Sequence, residues 1–413
     1  MTSANSIPTT HAGSLPRTHT LLAANEARRD AGRLTLDEPA GFQPLLEGAV
    51  VELVQRQADT GLSLPGDGEF GKAMSSAVDY GAWWSYSFSR LSGLELRPGG
   101  AFAGQPVRSS PGNVKLTTFP DRRDWTLFAD AYGDPTSGIS LGERAPVFPS
   151  ATGPVAYTGQ AAITADIAHL KTGLAAAGVE QGFITALSPG SASRIGNEFY
   201  ATEEEFIWAM ADALREEYRA VIDAGLILQI DDPSIAENWD QINPAPSVED
   251  YLAFTRIRVE ALNHALRGLP EEQIRFHLCW GSWHGPHTTD LEFRHLVDTM
   301  LEIHAGSYSF EGANARHEHE WRIWEDVSLP DGKTIAPGVI GHATNVVEHP
   351  ELVADRIERY ASVVGRENVI ASTDCGLGGR IHPQIAWAKL ESLVAGAELA
   401  TARLWPKNSV TVS

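Results

Sequence analysis

Short apolar runs and helix-patterned segments alternate about eight times along this chain, and the runs are apolar throughout instead of alternating in polarity. Strands covered on both faces by crossover helices read that way, which points to a parallel α/β fold. Gly182-Phe183-Ile184-Thr185-Ala186-Leu187 and Leu226-Ile227-Leu228-Gln229-Ile230-Asp231 are clear examples. Eight units favour a single closed (β/α)8 barrel over an open sheet. No glycine-rich dinucleotide fingerprint follows the first run. Strand-like runs are expected at 9–14, 62–69, 153–157, 182–187, 226–231, 274–279, 306–311, 336–342 and 369–374. The helices between them include 247–267, 290–304, 350–364 and 383–398. Thr202 and Glu205 form a capping box that starts another helix, and Gly225 ends it.

Polar residues gather at the C-terminal ends of the runs: Ser14, Asp67 and Glu69, Asp231 and Asp232, His277 and Cys279, Glu311, His342, Asp374 and Cys375. In a barrel those ends form one face, so residues far apart in sequence meet in one pocket. Residues 71–145 break the rhythm, with Trp83, Trp84, Tyr86 and Phe88 followed by Pro98, Gly99, Gly100 and Gly104. We read them as a lid-like insertion within one catalytic barrel spanning 1–413, since that aromatic content needs something to pack against.

With 413 residues, 43% of them hydrophobic, the chain has ample core. Its formal charge of −21 argues against nucleic acid or an anionic membrane surface as partner. No apolar run approaches the roughly 18 residues of a membrane span, and the chain opens without a leader-like segment. Two cysteines make no disulfide framework, so a reducing cytoplasm is the expected compartment.

His277 and Cys279, two residues apart at the end of an extended run, point to the same side. Cys375, in Asp374-Cys375-Gly376-Leu377, ends another run. One imidazole and two thiolates suit zinc, and three protein ligands with an open position make such a site catalytic. Glu311, ending the intervening run, is the natural fourth ligand. Arg316-His317-Glu318-His319-Glu320 offers two further histidines but no converging partner, and reads as solvated charge. Two thiolates and a carboxylate place three negative charges on a divalent ion. That weakens its Lewis acidity and favours a reactive substrate thiolate over an activated hydroxide. His342 and His11 are the candidate acids for a leaving group.

His-x-Cys at 277–279, the strand end at Glu311 and Asp-Cys-Gly-Leu at 374–377 resemble the catalytic barrel of cobalamin-independent methionine synthase and its relatives. Those relatives include the zinc-dependent epoxyalkane:coenzyme M transferases, within the barrel superfamily that also holds uroporphyrinogen decarboxylase. The resemblance runs from about Thr9 to Trp405, and implies zinc held by His277, Cys279, Glu311 and Cys375. It also implies that Ala12, through its backbone, and Ser14 contact the thiol substrate, and that Glu69 and Asp231 hold the amino group of homocysteine. Where methionine synthases carry His followed by Ser, this chain has Ala343-Thr344 and its His one place earlier, at His342.

The function expected on these grounds is zinc-dependent alkylation of a small thiol, foremost methyl transfer to homocysteine, with thiol addition to an epoxide as the alternative. Its partners are then a small thiol and an alkyl donor, and assembly into a homo-oligomer is compatible with it. A metal-free decarboxylase and a zinc-storing protein are the rival readings.

Overall fold

The computed structural model describes residues 5–28, 38–74, 82–97, 105–139, 149–281 and 283–406, the side chains of 82–85 excepted. Trp83 and Trp84 as side chains, and Pro98, Gly99, Gly100 and Gly104, lie outside the described residues. The strands in chain order are β1 (Leu91–Leu96), β2 (Pro149–Tyr157), β3 (Phe183–Leu187), β4 (Gly196–Asn197), β5 (Ile227–Asp231), β6 (Ile274–Leu278), β7 (Ser307–Phe310), β8 (Thr334–Ile340) and β9 (Ser372–Thr373).

Six of them form one parallel sheet in the order β3-β5-β6-β7-β8-β9. Every residue of β3, β5, β6 and β8 is buried, as uninterrupted apolar runs require. Two further extended segments meet the edges of this sheet. Gly66 bridges Phe183 and Thr9 bridges Ala371, both in parallel sense. The amides of Ser63 and Leu64 each donate to the Thr9 carbonyl at 3.0 Å, so the curl of the sheet is carried from its last strand back towards its first. The result is a mixed α/β fold built on a curled parallel sheet of the TIM-barrel kind.

Helix punctuation follows the sequence closely. Thr202 accepts from the Glu205 amide at 3.0 Å and Glu205 accepts from the Ala201 amide at 3.1 Å, starting helix Glu203–Asp223. Gly225 follows that helix in the left-handed region (φ 79°), where a side chain would be strained. The helix carries Phe206, Met210, Tyr218 and Val221 on its buried face.

Two expectations shift. The run at 153–157 lies in β2, which pairs antiparallel with β1 and parallel with β4 in a separate three-stranded sheet. Its half-exposed middle, Gly153 to Ala156, lacks the two-sided burial that the main sheet demands. The helix expected over 290–304 shrinks to Val297–Leu301 behind a 3-10 turn at Phe293–His295. The residues before it are held by a charged cluster described below.

Candidate metal centre

β6 delivers His277 and, one residue past its end, Cys279, while Cys375 follows β9 across the sheet. One ligand atom from each of the three lies within 4.8 Å of the others. The His277 ring is buried, and its Nδ1 sits 3.0 Å from the Ser309 hydroxyl on the neighbouring strand. With Nδ1 so engaged, Nε2 bonds to no nitrogen or oxygen among the described residues. An imidazole fixed by a hydroxyl at Nδ1, with the Cys375 sulfur as its other polar neighbour, is placed as a metal ligand needs to be.

The two sulfurs are unequal. Their mutual hydrogen bond, with burial, pushes the Cys279 thiol well up. The same bond, helped by His277 and the Arg380 charge, holds Cys375 well below the usual thiol range. Cys375 is thus the ready thiolate and Cys279 its donor. Burial works against a charged His277, but Cys375, Asp231 and Glu311 outweigh it and raise its pKa. Two sulfurs and a preoriented imidazole fit zinc.

Glu311 stands just past β7, its Oε1 accepting from the Trp280 amide at 3.0 Å and its Oε2 from the Asn314 side chain. Its carboxylate groups, within 4.8 Å, with His342 and Asp374, and so lies outside the compact His277–Cys279–Cys375 set. Burial raises its pKa.

Asp231, the register partner of His277 on the adjacent strand, and Glu69 are the residues expected to meet substrate. Glu69 and Asp231 are both buried. Glu69 Oε1 accepts from Thr185 Oγ1 at 3.0 Å and lies 3.2 Å from Lys72 Nζ, which itself donates to Thr185 at 2.6 Å. Asp231 Oδ1 accepts from Gln229 at 2.6 Å, and burial pushes its pKa up to about 7. Ala12 has both backbone groups engaged, donating to Thr373 Oγ1 and accepting from Gln229, each at 3.0 Å. Ser14 accepts from Arg17 at 2.9 Å and packs against Gly376, where an added Cβ would come within 2.8 Å of the Ser14 Cβ.

Of the two candidate acids, His11 uses both nitrogens internally, with Gln57 at 2.8 Å and the Gly13 amide at 3.2 Å. His342 is also buried, and its Nδ1 has no hydrogen-bond partner among the described residues. Burial lowers both pKa values to about 3, so both rings are neutral at pH 7.

Lys72 escaped the sequence reading, because a Lys after Gly68-Glu69-Phe70-Gly71 looks like any turn residue. Its buried ammonium serves a crowded acidic wall that includes Asp67, whose pKa burial raises to about 6 from the usual 3.8. A carboxyl raised in the folded state costs nothing below the unfolded value and its full penalty above the folded one. Asp67→Asn keeps the acceptor for the Glu69 amide, 2.9 Å away. The variant is expected to match the parent at pH 4 and to exceed it by about 2–3 kcal/mol above pH 6, measured by urea unfolding at each pH. Equal stability at pH 8 would refute this.

Behind the metal strand lies a second feature the sequence reading missed. His317, read as solvated, is buried with Nδ1 2.8 Å from Glu320 and Nε2 3.2 Å from Asp290. His287 places Nδ1 3.0 Å from the same Asp290 oxygen and Nε2 3.0 Å from the Trp283 carbonyl. All four ring nitrogens face acceptors, so both rings are imidazolium. Asp290 and Glu320 raise their pKa values to about 9 for His287 and about 10 for His317, against burial. His317 also stacks on Trp280, with centroids 4.0 Å apart, and the Trp280 amide is the group that holds Glu311. The i, i+3 spacing of His317 and Glu320 beside Trp321 and Trp324 was the available signal.

A family model described as the catalytic domain of cobalamin-independent synthase matches residues 117–399. A methionine synthase of Thermococcus kodakarensis is 25% identical over 209 residues, covering 50% of this chain and 54% of its own length. The chain therefore matches about half of that relative. The 2-hydroxypropyl-CoM lyase of Xanthobacter autotrophicus is 25% identical over 395 residues, covering 88% of this chain and 87% of the lyase. In fold, the chain resembles a B12-independent methionine synthase from Shewanella determined with selenomethionine, with a TM-score of 0.68 at 20% identity over 97% of this chain and 99% of that one. No helix among the described residues is long and apolar enough to cross a membrane.

Proposed function

Because the chain belongs to the cobalamin-independent synthase catalytic-domain family, we propose that it is a zinc-dependent S-alkyltransferase acting on a small thiol. The observation that carries this reading is the convergence of the His277 ring and two sulfurs within 4.8 Å. We read the segments at Thr9 and Gly66 as the two remaining staves of a closed (β/α)8 barrel, with residues 71–145 inserted after the second.

His277, Cys279 and Cys375 would hold the zinc, with Glu311 as the ligand that yields to an incoming thiol. When bound, the metal lowers a thiol's pKa so that the thiolate is available as nucleophile at neutral pH. Ser309 fixes the His277 tautomer, and the Trp280 amide and Asn314 give Glu311 a resting place off the metal. The substrate's tail reaches the wall of Glu69 and Asp231. Lys72 and Thr185 fix Glu69, so that Asp231, with its raised pKa, is the carboxylate most in need of a cationic group. An α-ammonium, as in homocysteine, supplies that charge. Ser14, against Gly376, lines the floor beside Cys375. His342 is preferred over His11 for a proton transfer, because its Nδ1 is uncommitted.

Methyl transfer to homocysteine is the first reading of the reaction. Thiol addition to an epoxide is favoured by one observation, the near full-length match to the Xanthobacter lyase. In the cytoplasm either reaction needs only soluble partners, a thiol and an alkyl donor. The cobalt-substituted protein tests the shared step. Its sulfur-to-cobalt absorption is expected to gain about half its intensity when a third sulfur joins the two from the protein. A band unmoved by homocysteine, 2-mercaptoethanesulfonate and glutathione would dismiss the proposal.

A further inference from the structure

Three buried side chains at neighbouring strand ends are only partly used by the chemistry above. Glu311 follows β7, His342 follows β8, and Asp374 follows β9. One ligand atom from each lies within 4.8 Å of the other two. Asp374 is fully buried; its Oδ1 accepts from the Gly312 and Ala313 amides at 2.7 and 2.8 Å, while Oδ2 has no hydrogen-bond partner among the described residues. His342 is 2% exposed and its Nδ1 is likewise without one. An unmatched carboxylate oxygen and an unmatched imidazole nitrogen, buried in one cluster, are costly unless something satisfies both.

We propose that Glu311, in the posture its Trp280 and Asn314 bonds hold off the sulfur site, forms with His342 and Asp374 a second divalent-cation site, which when filled makes His342 a ligand and takes it out of proton transfer. Its donors are one nitrogen and carboxylate oxygens, which suit a borderline or hard ion such as Zn2+, Co2+ or Mn2+ rather than one selected by thiolates. The cradle is built into the backbone. A Cβ at Gly338 would come within 2.0 Å of Asp374 Oδ1, so that glycine is what lets the carboxylate approach. The loop carrying His342 is pinned where the Gly341 amide donates to Glu348 at 2.9 Å, and Glu348 is paired with the buried Lys389 at 2.9 Å. Arg356, whose charge acts on Asp374, is spent on Glu318 and on the Val339 and Ala313 carbonyls.

Titration of the metal-free full-length protein with Co2+ separates the two sites. Wild type is expected to take up about two equivalents, with the sulfur-to-cobalt band complete after the first, because only that site has thiolates. Asp374→Asn preserves the acceptor for both amides and is expected to bind about one equivalent with the band intact. His342→Ala should do the same, and decides the matter alone if the first variant does not fold. Saturation of wild type at one equivalent with a full band would overturn the proposal, as would two equivalents in both variants.

Discussion

Cys375→Ser is expected to lower kcat/KM for thiol alkylation by at least about a thousandfold, close to 4 kcal/mol of transition-state stabilisation. Loss of an outer partner of a metal ligand already costs ten- to a hundredfold in affinity or activity, and Cys375 is a ligand in the reading above. The Cys279 bond, His277 and Arg380 also hold its thiol well below the usual range. Serine is nearly the same size, and its hydroxyl stays protonated where the thiol does not. The fold should therefore lose only about 1 kcal/mol, one hydrogen bond's worth, while the sulfur-to-cobalt band falls by about half. Steady-state rates with metal content measured on the same sample check this. A serine variant that keeps both its metal and its rate would remove Cys375 from the chemistry.

The parallel-sheet rhythm and the same-side pairing of His277 and Cys279 were legible because each is written locally. A buried parallel strand needs a run of apolar residues, and two same-side ligands on a strand must be two apart, as His277 and Cys279 are. The posture of Glu311 was not legible, since only the fold brings the Trp280 amide and Asn314 against its two oxygens. Lys72 and the cluster at Asp290 were not legible. Local i, i+3 pairs such as His287–Asp290, His317–Glu320 and Lys72–Glu69 look solvated in sequence; what buries them are longer-range partners, Thr185 113 residues from Lys72 and Asp290 27 residues from His317, which only the closed chain supplies. The misplaced run at 153–157 shows the converse. A short apolar stretch says that it is buried somewhere, not which sheet takes it.

Asp290→Asn is expected to destabilise the protein by about 3–5 kcal/mol at pH 6–7, the usual cost of removing one partner from a buried ionic cluster. Asp290 is 4% exposed at its side chain, and its one oxygen Oδ2 meets both His287 and His317, so the variant leaves two buried imidazolium rings short of charge. The direction with pH follows from the raised histidines. Their contribution is complete below the unfolded value of about 6.5 and is lost as pH climbs through the folded values of about 9 and about 10. Wild type should therefore lose stability steadily from about pH 6.5 to 10, whereas the variant, having already lost most of the contribution, should show a flatter curve over that range. Denaturant unfolding at half-unit pH intervals reads both features. Parallel curves, or a difference under about 1 kcal/mol at pH 6.5, would mean that the cluster is not charged as its hydrogen bonds require. The catalytic consequence should be smaller. Asp290 touches neither sulfur nor Glu311, and acts on the site through the His317 ring stacked on Trp280, whose amide parks the Glu311 carboxylate. A tenfold loss in rate, with metal binding retained, is about what a misplaced Glu311 would produce.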